Sequence, residues 1–165
     1  GKHETTQLCI RQLKKYVKDG MDILDVGTGS GILGITALKL GAGHVFGTDL
    51  DENAITAVHE NLAANEIPKE KFDVLKGNII DEKAVQDASG YECYDIAVAN
   101  ILADVIILLQ AEIAAHIKKG GLFITSGIID MKEQAVLDAF AGNSAFEIVE
   151  VTRMGEWVSV TARKK

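Results

Sequence analysis

The residues able to do chemistry sit at a few well-separated places. Gly27-Thr28-Gly29-Ser30-Gly31 alternates glycine with small polar residues, directly after the apolar run Ile23-Leu24-Asp25-Val26. Glycines in such a loop let the backbone approach a ligand closely, and the helix that follows offers N–H groups to something polar or negative. Gly29 to Gly34 also fits the G-x-G-x-x-G pattern of dinucleotide sites, which is weakly specific alone, and a tight ligand-free turn would use the same glycines. Asp49 lies 22 residues beyond Gly27, where a carboxylate can accept both hydroxyls of a ribose. Asn100 ends another apolar run, and its amide can accept from an amine or from the amino-acid part of a ligand, or cap the following helix.

Alternating elements must position these groups. Leu8, Leu13, Tyr16 and Val17 recur at helical spacing, and strands are expected at 23–26, 44–49, 72–75, 94–100 and 122–126. Helices are expected at 32–40, 52–65, 101–117 and 131–140, with a short polar one at 81–88. Lys118-Lys119-Gly120-Gly121 reads as the stop of the 101–117 helix, and Asp51 as the natural cap of the 52–65 helix. Phe146 to Thr152 and Trp157 to Ala162 have only Arg153-Met154-Gly155-Glu156 between them, which predicts an antiparallel hairpin. The fold class is therefore α/β, a doubly wound, mostly parallel sheet of seven strands ending in a hairpin, and residues 1–165 form one domain. That ending resembles the Rossmann-like fold of class I S-adenosylmethionine-dependent methyltransferases and is foreign to ordinary dinucleotide-binding sheets.

Asp25 sharpens the choice of ligand. An acidic group two residues before Gly27 can meet the ammonium of a methionine, directly or through water, and would repel a pyrophosphate. No part of the chain remains for the separate substrate domain of a dehydrogenase. S-adenosyl-L-methionine is accordingly the expected cofactor.

Composition removes other classes. The net charge is −7, and the only basic run is Arg163-Lys164-Lys165, which argues against a nucleic-acid footprint and suits a basic partner. Ile101 to Ile117 is too short and too polar to span a membrane. No signal peptide starts the chain, Cys9 and Cys93 have no partner spacing, and the four histidines have no metal spacing, so a cytoplasmic protein with reduced thiols and no metal is expected.

Several segments together resemble one family, the bacterial methyltransferase of large-subunit ribosomal protein eleven. They are Gly1-Lys2-His3-Glu4-Thr5-Thr6-Gln7-Leu8-Cys9, the loop 24–33, Gly47-Thr48-Asp49-Leu50-Asp51, Val98-Ala99-Asn100-Ile101-Leu102-Ala103, Lys119-Gly120-Gly121, Ser126-Gly127-Ile128 and Gly155-Glu156-Trp157. The resemblance implies methyl transfer to lysine ε-amines and the α-amine of that ribosomal protein. It implies cofactor contacts from Thr6, Gly27, Asp49 and Asn100, to which the loop reading adds Gly29, and Asn100 is also the catalytic candidate. Thr28 stands where the family often has cysteine, with little consequence expected. The chain begins inside a family motif, so the family's N-terminal recognition domain is expected to be absent and acceptor methylation to be weak. The same fold acting on a small-molecule amine or a nucleic acid, or a cofactor-binding fragment without turnover, remains open.

Overall fold

The computed structural model describes residues 2–165. The first helix, α1 (Lys2–Tyr16), buries Thr5, Leu8, Cys9, Gln12 and Leu13 along one stripe. Then β1 (Asp22–Val26), α2 (Ile32–Lys39), β2 (His44–Asp49), α3 (Asn53–Ala64) and β3 (Phe72–Lys76) follow in strict alternation. The second half comprises α4 (Lys83–Ser89), β4 (Tyr94–Asn100), α5 (Ala103–Ile113), β5 (Ile117–Ile129), α6 (Glu133–Ala141), β6 (Phe146–Met154) and β7 (Trp157–Lys164).

One sheet of seven strands results, in the order β3-β2-β1-β4-β5-β7-β6. The first five in that order are parallel, and β7 is antiparallel to both β5 and β6. Both faces are covered, which explains why the central strands are apolar throughout rather than alternating. Leu24, Val26, Ala97, Ala99 and Phe123 point to the face under α5 and α6. Ile23, Ile96, Val98, Leu122 and Ile124 point to the face under α1, α2 and α3. Each strand thus feeds two cores with a period of two.

Boundaries differ from the sequence pattern at β5. The expected helix 101–117 ends as an α-helix at Ile113, and the expected strand 122–126 spans Ile117–Ile129. Lys118-Lys119-Gly120-Gly121 lies within that strand rather than stopping the helix. The strand is extended because Ile117 pairs with Tyr94 and Ile129 with Trp157, partners outside the local pattern. Asp51 stands one residue before the cap position of α3, which is Glu52 with no side-chain cap bond, and its carboxylate accepts the Asn53 N–H at 2.9 Å. Among the described residues no helix is long and apolar enough to cross a membrane.

The C-terminal end of α3 holds a local strain. Glu66 adopts φ 57°, while the Ile67 N–H donates to the Leu62 carbonyl at 2.9 Å. This is the left-handed helix stop that glycine fits without steric cost. Glu66→Gly is therefore expected to raise stability by about 1 kcal/mol. The check is the urea midpoint at unchanged slope; an unaltered or lower midpoint would contradict it.

Candidate active site

The sheet order places β1 between β2 and β4, so the chain leaves β1 toward one side and later returns to the other. The carboxyl ends of these strands are where an open α/β sheet binds ligands. Gly27 follows β1 at φ 72°, and its N–H donates to the Thr48 carbonyl at 2.8 Å. A Cβ at this position would lie 2.9 Å from Cγ2 of Ile101, so the backbone itself forms the wall there.

Two concavities open at this edge. The first, about 250 Å³, is lined by Gly27, Asp49, Leu50, Asn78, Ile79, Ile80, Ile101 and Leu108, among others. Leu50 and Leu108 are 68% and 63% exposed, an apolar rim that suits a flat ring. The second, about 350 Å³, is lined by Lys2, Thr5, Asn100, Ile101, Leu102, Gly127 and Trp157. Ile101 belongs to both.

Asp49 is fixed on both oxygens. Its Oδ2 accepts the Gly29 N–H and its Oδ1 accepts the Asp51 N–H, each at 2.9 Å. Each carboxylate oxygen keeps acceptor capacity for a further donor. Gly27, Gly29 and Asp49 are thus brought together around the first concavity. Thr6 and Asn100 are brought together beside the second, the Asn100 Nδ2 donating toward the Thr6 Oγ1 at 3.4 Å. Asn100 does not cap α5, whose first turn follows Leu102 with no side-chain cap.

A buried polar line runs beneath the edge. Asp25 is 1% exposed, and its carboxylate accepts from the Thr28 hydroxyl at 2.8 Å. Of the two routes to a ligand, burial disfavours the direct one: Asp25 lies under the loop and lines neither concavity. Burial pushes its carboxyl up to about 6, against the hydrogen bonds from Thr28 and the Gly34 N–H that favour the charged form. The Thr28 hydroxyl ties the loop to Asp25. Cys9, fully buried nearby, has its thiol held well above the ordinary range by desolvation, with the Asp25 charge adding to it. Ser126 donates to the Thr5 carbonyl at 2.8 Å, while its own carbonyl accepts the Ile101 N–H at 3.1 Å. That hydroxyl anchors α1, and with it Thr6, against Asn100.

The sequence pattern missed the far wall of the first concavity. Asn78, Ile79 and Ile80 follow β3 as the glycine loop follows β1, and applying the carboxyl-edge rule to every strand would have found them. Among the described residues no group of three or more His, Cys, Asp or Glu could hold a metal ion.

The model of the family described as "Ribosomal protein L11 methyltransferase (PrmA)" matches residues 1–165. The chain belongs to the ribosomal protein L11 methyltransferase family. A protein of that name from Lachnospira eligens is 61% identical over 165 residues, covering all of this chain and 52% of its own length. The chain thus spans about half the length of that family member. A solved ribosomal protein L11 methylase from Lactobacillus delbrueckii subsp. bulgaricus superposes with TM-score 0.89 at 34% identity, over all of this chain and 80% of that one. A solved SAM-dependent methyltransferase from Aquifex aeolicus, 17% identical, superposes with TM-score 0.73 over 95% of this chain and 89% of its own. The fold is that of the class I methyltransferases, as the closing hairpin suggested.

Asp25 gives this part of the family member a pH signature. The unfolded chain ionises Asp25 near 3.8, whereas the folded chain does so near 6. Stability from this group is full below about pH 4 and is lost as pH rises through 6, by up to roughly 3 kcal/mol from the two pKa values. Asp25→Asn removes the titration. The stability difference, variant minus parent, is expected to grow between pH 4 and 7, and parallel urea-derived profiles would refute the buried charge.

Proposed function

We propose that residues 1–165 form the S-adenosylmethionine-binding and methyl-transferring domain of a protein N-methyltransferase. The acceptors are lysine ε-amines and the α-amine of ribosomal protein L11. One observation carries the reading: the concavity beside Asp49 and the concavity beside Asn100 meet over a shared wall, Ile101. A donor held on one side and an amine held on the other would face each other there. The names of the family and of its similar members support the acceptor, and a net charge of −7 suits a lysine-rich partner.

The residues present fit the cofactor. Asp49 has acceptor capacity for both ribose hydroxyls, the Gly27 backbone lines the concavity, and Leu50, Ile79 and Leu108 offer apolar surface to an adenine. Asp25 beneath the loop favours a cation above it and disfavours a pyrophosphate. When bound, S-adenosylmethionine supplies an electrophilic methyl group: the nitrogen lone pair forms the new N–C bond, the C–S pair leaves with sulfur, and positive charge moves to nitrogen. Thr6 and Asn100 position the amine and the amino-acid end of the cofactor. An amine must first lose a proton from an ordinary pKa near 10.4, and solvent at the open second concavity can take it. The remaining contribution of the chain is orientation and exclusion of water along Ile101.

Calorimetry tests the cofactor. S-adenosylmethionine is expected to bind and NAD not to bind; heat from NAD alone would overturn the assignment. Asp49→Ala is expected to weaken cofactor binding by about 1.5–3 kcal/mol, the scale of lost charge-assisted hydrogen bonds. Parent affinity in that variant would place Asp49 outside the site. Transfer of labelled methyl to purified L11 tests the acceptor.

A further inference from the structure

We propose that Trp157 is the specificity-determining wall of the acceptor concavity. Its indole face receives the amino group together with each methyl added to it, in a space shaped for a lysine side chain. The proposal rests on the methyl-transfer reading above.

Trp157 is the only tryptophan in the chain. It opens β7, half-buried, while the next residue, Val158, is 1% exposed and turned into the core. Its position is held from two sides. It pairs with Ile129 of β5 and Met154 of β6, and the hairpin turn before it is pinned by the Asp130 N–H donating to the Glu156 carbonyl at 2.8 Å. A buried tryptophan side chain would need no opening, whereas this one lines the same concavity as Asn100.

An irregularity in β5 brings its backbone close against Asn100 between the two residues. The β5–β7 register shifts between Thr125 and Ile128, and Gly127 sits in the shift at φ 89°. A Cβ on Gly127 would lie 2.5 Å from the Ile101 carbonyl oxygen and 3.0 Å from Oδ1 of Asn100. Bulges of this kind re-aim side chains beside functional sites. Leu102, 74% exposed, adds an apolar ledge along which a four-carbon stem can lie.

The chemistry separates the two polar and aromatic partners. Each methyl replaces an N–H, so the hydrogen bonds that Asn100 can make to the amine decline with each transfer. Apolar surface on the nitrogen grows, and the final product carries a permanent charge that cannot be neutralised by proton loss. An indole face gains attraction as this happens, because its quadrupole favours a desolvated cation and its surface favours methyl groups. Asn100 therefore aligns the first transfer, and Trp157 keeps the later intermediates in place.

Because Trp157 is unique, its emission reports occupancy directly. Titrating the chain with Nα-acetyl-Nε-trimethyl-lysine amide is expected to give a saturable change in intrinsic fluorescence. The norleucine analogue, with the stem but no cation, should bind about 3- to 30-fold more weakly. Unchanged emission at saturating trimethyl-lysine amide would overturn the proposal. A second measurement compares Trp157→Ala and Trp157→Phe on L11 by mass spectrometry. The alanine variant should accumulate monomethyl product and raise KM for L11, the phenylalanine variant should lie between, and cofactor affinity should stay within about twofold of the parent. A parent-like product distribution in Trp157→Ala would equally overturn it. If the parent transfers no methyl group to L11, as the expected weak acceptor methylation allows, the fluorescence titration alone decides the role of Trp157.

Discussion

The carboxyl edge of the sheet is organised by one close approach, the Gly27 backbone against Ile101. No side chain fits between them, since a Cβ on Gly27 would fall 2.9 Å from the isoleucine methyl. The contact exists because β1 lies between β2 and β4, which brings the residues after β1 and β4 face to face. From it follow the two concavities that share Ile101, the position of Asp49 on one side and that of Asn100 on the other. Ile101 is the residue that both concavities share, so this contact fixes where their linings meet.

The edge is supported by a polar line that costs stability. Thr28, Asp25, Cys9 and Ser126 lie buried between the glycine loop and α1, where apolar residues would pack without a desolvation penalty. Asp25 anchors the loop through Thr28, and Ser126 anchors α1 through the Thr5 carbonyl. The loop and Thr6 are thereby set relative to the same strands. Geometry of this kind is retained where a site requires a fixed backbone, at the expense of a less stable core.

Much of this was legible in the sequence, for identifiable reasons. β2 and β4 are read correctly to the residue, Asp49 and Asn100 closing them and Gly43 preceding β2. The closing hairpin is legible because two β-rich runs flank a very short connection. β5 is not, since its ends are set by pairing with Tyr94 and Trp157 and not by its own composition. In the site, Gly27, Gly29, Asp49, Thr6 and Asn100 fall into two neighbouring groups around Ile101. The depth of Asp25 is not legible because a carboxylate next to a ligand loop and one buried below it have the same sequence. Trp157 stands out in the sequence only with its neighbours Gly155 and Glu156; the β5–β7 register shift near it has no local sequence signal apart from Gly127.

The central claim is that two compartments meet over Ile101, with the cofactor on the Asp49 side. The most direct test is a crystal structure of this chain soaked with S-adenosylhomocysteine. The ribose is expected within hydrogen-bond distance of Asp49, the adenine among Leu50, Ile79 and Leu108, and the amino-acid end across Ile101 toward Thr6 and Asn100. Ligand density elsewhere, or a ribose out of reach of Asp49, would contradict it.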